Sequence, residues 1–130
     1  MNPATVVLLV VCLLGAAPSQ GEGPSRLGTR IPREFQGRWM SSPEQCRDGH
    51  EGWEYISNLK VQNSDGEGNV VSVRRRSALE IEVDLTWRRS SASAKATEDW
   101  RQVHLYSVSA DGRTLTDTTA GKTVIRARCE

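Results

Sequence analysis

Period two runs through this chain. Leu79, Ile81, Val83, Leu85 and Trp87 alternate with Glu80, Glu82, Asp84, Thr86 and Arg88, the pattern of a half-buried strand over 78–89. Trp53, Tyr55, Leu59 and Val61 share one parity, which predicts a second strand over 53–62. Val71 and Val73 mark a third, Val103 and Leu105 a fourth over 100–109, and Leu115 a short fifth over 113–118. Ile125, Ala127 and Cys129 share the parity of the last strand, and 36–41 opens the set. Asp65-Gly66, Asp111-Gly112 and Ala120-Gly121 fall between these runs, where hairpins need residues tolerant of positive φ, and Asp48-Gly49 marks an earlier loop. The stretch 90–97 (Ser-Ser-Ala-Ser-Ala-Lys-Ala-Thr) predicts a mobile loop, and no segment has a helical apolar stripe. Seven or eight one-faced antiparallel strands must hide that face. The expectation is therefore an all-β domain, a small up-and-down barrel, with a β-sandwich as the alternative.

The first twenty residues lie outside this pattern. Positions 4–17 form an apolar run ending in small residues, too short for the roughly 20 residues of a membrane span and suited to a secretory signal peptide. Residues 21–30 read as a flexible lead-in, and 31–130 as one domain that leaves the membrane after cleavage. Export changes the meaning of the cysteines. Cys12 departs with the signal, so Cys46 and Cys129 have one intramolecular pairing open to them in an oxidising setting. That bridge closes a loop of about 84 residues, for which chain entropy allows roughly 4–5 kcal/mol.

Composition narrows the partners. Seventeen Lys+Arg against sixteen Asp+Glu leave a net charge of +1, which argues against a nucleic-acid binder working through bulk charge. The apolar share of 37% is inflated by the leader, so the domain has one modest core. Four of the seven aromatic residues are Trp.

Gln36-Gly37-Arg38-Trp39 resembles the opening of a calycin barrel, the superfamily of lipocalins and avidin-like proteins, whose first strand begins Gly-x-Trp. The resemblance implies a basic residue of the last strand, Arg126 or Arg128, packed over Trp39. A second resemblance is to small exported bacterial proteins of unassigned function. It rests on Ile31-Pro32, Phe35-Gln36-Gly37-Arg38-Trp39, Pro43 and Cys46, on Trp100-Arg101 leading to Asp111-Gly112-Arg113-Thr114-Leu115-Thr116, and on Cys129. It implies export and a disulfide-closed β domain, and brings no activity with it.

Candidate sites follow from side chains that can line a barrel mouth. Trp53 and Trp100 lie at strand starts beside polar loops, with Tyr55 following Trp53, and can stack on an apolar or ring-bearing ligand. Trp39 and Trp87 read as core. Arg74 and Arg76 share a strand face and can form a basic rim, although Glu80, Glu82 and Asp84 are near enough to neutralise a purely solvated patch. His50, with Asp48 and Glu51, has no metal-ligand spacing, and His104, between Val103 and Leu105, is expected to face solvent. Gly121-Lys122-Thr123 lacks the earlier glycine and the following helix of a phosphate loop. No nucleophile elbow appears, so neither catalytic residue, metal nor cofactor is assigned. The expected function is a monomeric, non-catalytic exported binding module for a small apolar or aromatic ligand, with a cavity of roughly 300 Å³ or more. The alternative is a protein-binding inhibitor of a lysozyme or protease in the bacterial envelope, presenting loop 43–52 or 90–97.

Overall fold

A computed structural model describes residues 28–49, 52–89 and 99–130. The leader 1–20, the lead-in up to 27, His50, Glu51 and the loop 90–97 lie outside the described residues. Eight antiparallel strands close into an up-and-down barrel: β1 (Gly37–Met40), β2 (Glu54–Ile56), β3 (Lys60–Asn63), β4 (Gly66–Ser77), β5 (Glu80–Arg89), β6 (Trp100–Val108), β7 (Thr114–Thr119) and β8 (Lys122–Cys129). Each strand pairs with its sequence neighbours, and β1 pairs with β8 through Arg38↔Cys129, Trp39↔Arg128 and Met40↔Ala127. Closure removes every sheet edge, so the sandwich alternative does not apply.

Turn chemistry sets the register. Ala120 and Gly121 both take positive φ, 49° and 76°, as a two-residue hairpin turn demands. The expected single strand 53–62 is instead a hairpin. Ser57 N–H donates to the Lys60 carbonyl (2.9 Å) and the Lys60 N–H to Ser57 Oγ (3.1 Å), and the strand reverses there. The parity of Trp53 and Tyr55 is thereby the outer one, and Glu54 and Ile56 point inward and are buried. A register shift between Val70 and Ser72 makes Val71 exposed while Val73 is buried. In β6 the inward residues are His104, Tyr106 and Val108, so Val103 faces out. In β8 Ile125 is likewise outside, with Arg126 and Arg128 on the opposite parity. The loop expected at Asp48-Gly49 begins as the one-turn helix α1 (Gln45–Asp48).

The barrel is filled unevenly along its axis. Phe35, Ile31 and Trp39 join Ile56, Val73, Ile81, Val83, Tyr106, Val108 and Leu115 in one apolar cluster. Phe35 and Ile31 come from the segment before β1, which carries a 3-10 turn (Arg33–Phe35) and plugs this end. Gly28 bridges to Val73 by two 2.7 Å hydrogen bonds and ties the segment down. Arg128 closes the plug. Its guanidinium lies 4.2 Å from the Trp39 ring centroid and donates to the carbonyls of Gly112, Gln36 and Glu34, each at 2.6 Å. Arg128, not Arg126, holds the place over the first-strand Trp. Arg128→Lys is expected to cost about 2 kcal/mol, because an ammonium cannot stack flat on the indole and serve three diverging carbonyls. Urea unfolding at neutral pH measures it, and an unchanged midpoint would show that charge alone suffices.

The disulfide joins Cys46 of α1 to Cys129 at the end of β8, with Cα atoms 5.5 Å apart. Such a bridge is consistent with an oxidising compartment. Arg38 Nη2 donates to the Cys46 carbonyl (3.2 Å), holding α1 against the outside of the β1–β8 seam.

Candidate functional site

The end opposite the plug is open. The start of β2, the end of β3, the end of β5, the start of β6, the end of β7 and the start of β8 meet there around a cavity of about 180 Å³. Alternation along each strand aims alternate side chains inward, and on this half of the barrel those positions hold polar residues. Glu54, His104 and Asp117 are the buried polar or charged residues here. Arg126 stands between the two carboxylates, with Nη2 at 3.5 Å from Glu54 Oε2 and Nη1 at 3.5 Å from Asp117 Oδ2. Its Nε donates to the Gly52 carbonyl at 3.0 Å.

His104 Nδ1 lies 2.9 and 3.1 Å from the two Asp117 oxygens, and its Nε2 faces Gln102 Oε1 at 3.2 Å. The ring is further clamped between Trp87, at 5.7 Å between centroids, and Tyr106, at 5.5 Å. Asn63 Nδ2 donates to Glu54 Oε2 at 3.4 Å. The cavity wall is aromatic: Trp87 and Trp100 stack at 6.2 Å with planes 14° apart. They are cross-strand partners on β5 and β6, so register alone brings them together. Gly68 on β4 makes room for Trp87, since a Cβ there would come within 2.9 Å of the indole. Asp65, Lys122 and Thr119 stand at the rim.

Burial dominates the electrostatics. It pushes the Glu54 carboxyl above its ordinary pKa, with the Asp117 charge adding to the rise and Arg126 opposing it. The Tyr106 phenol is raised well above 10, by burial first and then by the Glu54 and Asp117 charges. Four buried polar atoms lack a hydrogen bond of good geometry among the described residues, Glu54 Oε1, Trp87 Nε1, Tyr106 Oη and Arg126 Nη1, although the Tyr106 phenol lies against the Glu54 carboxyl and Arg126 Nη1 is 3.5 Å from Asp117 Oδ2. Three of these four residues line the cavity.

The residues singled out from the sequence divide. Trp100 and Trp87 form the cavity wall, Trp87 also joining the core, and Trp39 lies at the plugged end. Arg126, expected as a structural partner of Trp39, is part of the charged floor. Trp53 and Tyr55 lie on the outer surface, in a shallow groove of about 220 Å³ with Arg38, Met40 and Gly49. Arg74 sits opposite Glu82 in the β4–β5 ladder, and Arg76 is ion-paired with Glu82, so neither reaches the mouth. His104 is 3% exposed rather than facing solvent, because the inner face of β6 is shared by Tyr106 and Val108, not by Val103 and Leu105. Glu54, Asp117 and His104 were readable only by extending the parity of Ile56, Leu115 and Val108 toward the mouth. Among the described residues no three His, Cys, Asp or Glu side chains are grouped to hold a metal ion.

No protein-family model, curated protein or solved structure matches this chain.

Proposed function

We propose that the protein is a non-catalytic binding module that holds a small ring-bearing ligand in the barrel mouth against Trp100 and Trp87. The observation that carries this reading is the open cavity of about 180 Å³ whose wall is the stacked pair Trp87 and Trp100 and whose lining includes Glu54, His104, Asp117 and Arg126. Size supports it. A dry protein cavity of about 150 Å³ accepts benzene, so about 180 Å³ suits one substituted ring or a compact pair of rings. Drug-sized ligands need roughly 300 Å³ or more. Both nitrogens of His104 are engaged by Asp117 and Gln102, which favours a fixed polar wall over a proton shuttle. The apolar run at 4–17 and the Cys46–Cys129 bridge together support export to an oxidising compartment, where the module would act.

The test is an NMR screen of single-ring and fused-ring fragments, neutral, anionic and cationic, against the disulfide-bonded protein. Binders are expected to shift the amides of His104, Asp117 and Arg126 and to quench Trp fluorescence. Trp100→Ala should weaken them at least tenfold while leaving the unfolding midpoint nearly unchanged, since Trp100 is only partly buried. If no fragment of any charge class perturbs the mouth, the binding reading is wrong.

A further inference from the structure

The mouth is two-sided. In a closed ring of eight strands, β5 and β6 stand across the barrel from β1 and β2. The aromatic side of the cavity is the β5–β6 side, where Trp100 lies on Trp87. Arg89 stands over the Trp100 ring at 5.7 Å without lining the cavity itself. Trp87 and Arg89 thus hold the Trp100 side chain in place, while part of it still lines the cavity. The remaining sides are polar. Asp65 stands in the turn between β3 and β4, and Lys122 opens β8. Both are exposed, and neither forms an ion pair among the described residues. Their charged groups are therefore accessible at the rim, unlike the buried ion pairs of the floor.

This lining selects among rings. A hydrocarbon ring would fill the space, but it would take water from the rim ammonium and carboxylate without replacing its hydrogen bonds. A ligand of either net charge would meet both signs, Lys122 and Arg126 against Asp65 and Asp117, and would lose its own hydration on entry. A pyranose ring avoids both penalties. Its C–H groups form an apolar face that suits an indole, and its hydroxyls radiate from the perimeter. Each hydroxyl both donates and accepts, whereas an ammonium only donates and a carboxylate only accepts, so one ring can serve Lys122 and Asp65 together. Resting on the binding reading above, we infer that the mouth takes a single neutral pyranose ring. Its C–H face packs against Trp100, and its hydroxyls accept from Lys122 and donate to Asp65. A space of about 180 Å³ holds one such ring, since about 150 Å³ already accepts benzene.

The test is a set of NMR shift titrations on the wild-type, disulfide-bonded protein, read at His104, Asp117 and Arg126. The probes are the methyl pyranosides of glucose, galactose, mannose and N-acetylglucosamine, with cyclohexanol, phenol, glucuronate and glucosamine as controls. At least one of the four pyranosides is expected to bind tenfold more tightly than every control. The double variant Asp65→Ala/Lys122→Ala, at two exposed positions, should reduce that preference at least fivefold and leave cyclohexanol within twofold of its wild-type affinity. Cyclohexanol or phenol binding as tightly as the best pyranoside would overturn the saccharide assignment while leaving a ring-binding mouth in place. Tighter binding of glucuronate or glucosamine would overturn its neutrality, and a preference that survives the double variant would overturn recognition by the rim. If no pyranoside binds, the inference is wrong, and the fragment screen then decides whether the mouth binds anything.

Discussion

Replacing Cys46 and Cys129 together by serine is expected to lower the unfolding free energy by about 3–5 kcal/mol. The cysteines are 83 residues apart in sequence, so the bridge constrains nearly the whole domain in its unfolded state. The native arrangement adds to the effect. The β1–β8 seam that closes the barrel is only three residue pairs long, and the bridge lies beside it at the Arg38↔Cys129 pair. A domain of this size has a total stability on the order of 5–15 kcal/mol, so such a loss removes much of the margin. Urea unfolding with and without reductant measures it. Reduced wild type should match the double-serine variant, and reductant should leave that variant unmoved. A loss below about 1 kcal/mol would mean that the eight-strand ladder closes without covalent help.

Arg126→Leu should be the most damaging single substitution in the mouth, costing about 3–5 kcal/mol near pH 7. It strands two buried carboxylates, Glu54 and Asp117, that now face one cation. The cost should shrink in acid. Glu54 already has a folded-state pKa above the unfolded value, so the folded chain binds the extra proton between the two. Its contribution to stability is therefore fully present below the unfolded value of about 4.3, and is lost as pH rises through the folded value. Arg126 opposes that rise, so its removal moves the folded value higher still and carries the loss upward in pH. Comparing urea midpoints of variant and wild type at pH 4.5 and pH 7.5 checks the sign. An equal loss at both pH values would assign the effect to packing instead. Adding Glu54→Leu to Arg126→Leu should recover part of the neutral-pH loss by removing one of the stranded charges.

Strand number and topology were open to reading because each hairpin carries its own local signal. Ile81, Val83, Leu85 and Trp87 alternate against charged residues, and Ala120-Gly121 takes the positive φ pair that its position demands. Parity misled where the barrel interior stops being apolar. At β2 the outward Trp53 and Tyr55 look more like core than the inward Glu54 does. At β6 the outward Val103 and Leu105 outweigh His104 in hydrophobicity, although Tyr106 and Val108 share the face of His104. A polar residue on an inner face looks, in isolation, like a solvated one.

From the chain alone came the all-β class and the hairpin order, because alternation and turn residues act locally. Which face of β2, β6 and β8 turns inward depended on closure. So did the meeting of Glu54, His104, Asp117 and Arg126, four residues on four strands up to 72 positions apart in the numbering. Only a closed sheet gives those strands a common interior, and only the plug at the Phe35 end decides which half is filled and which half stays open.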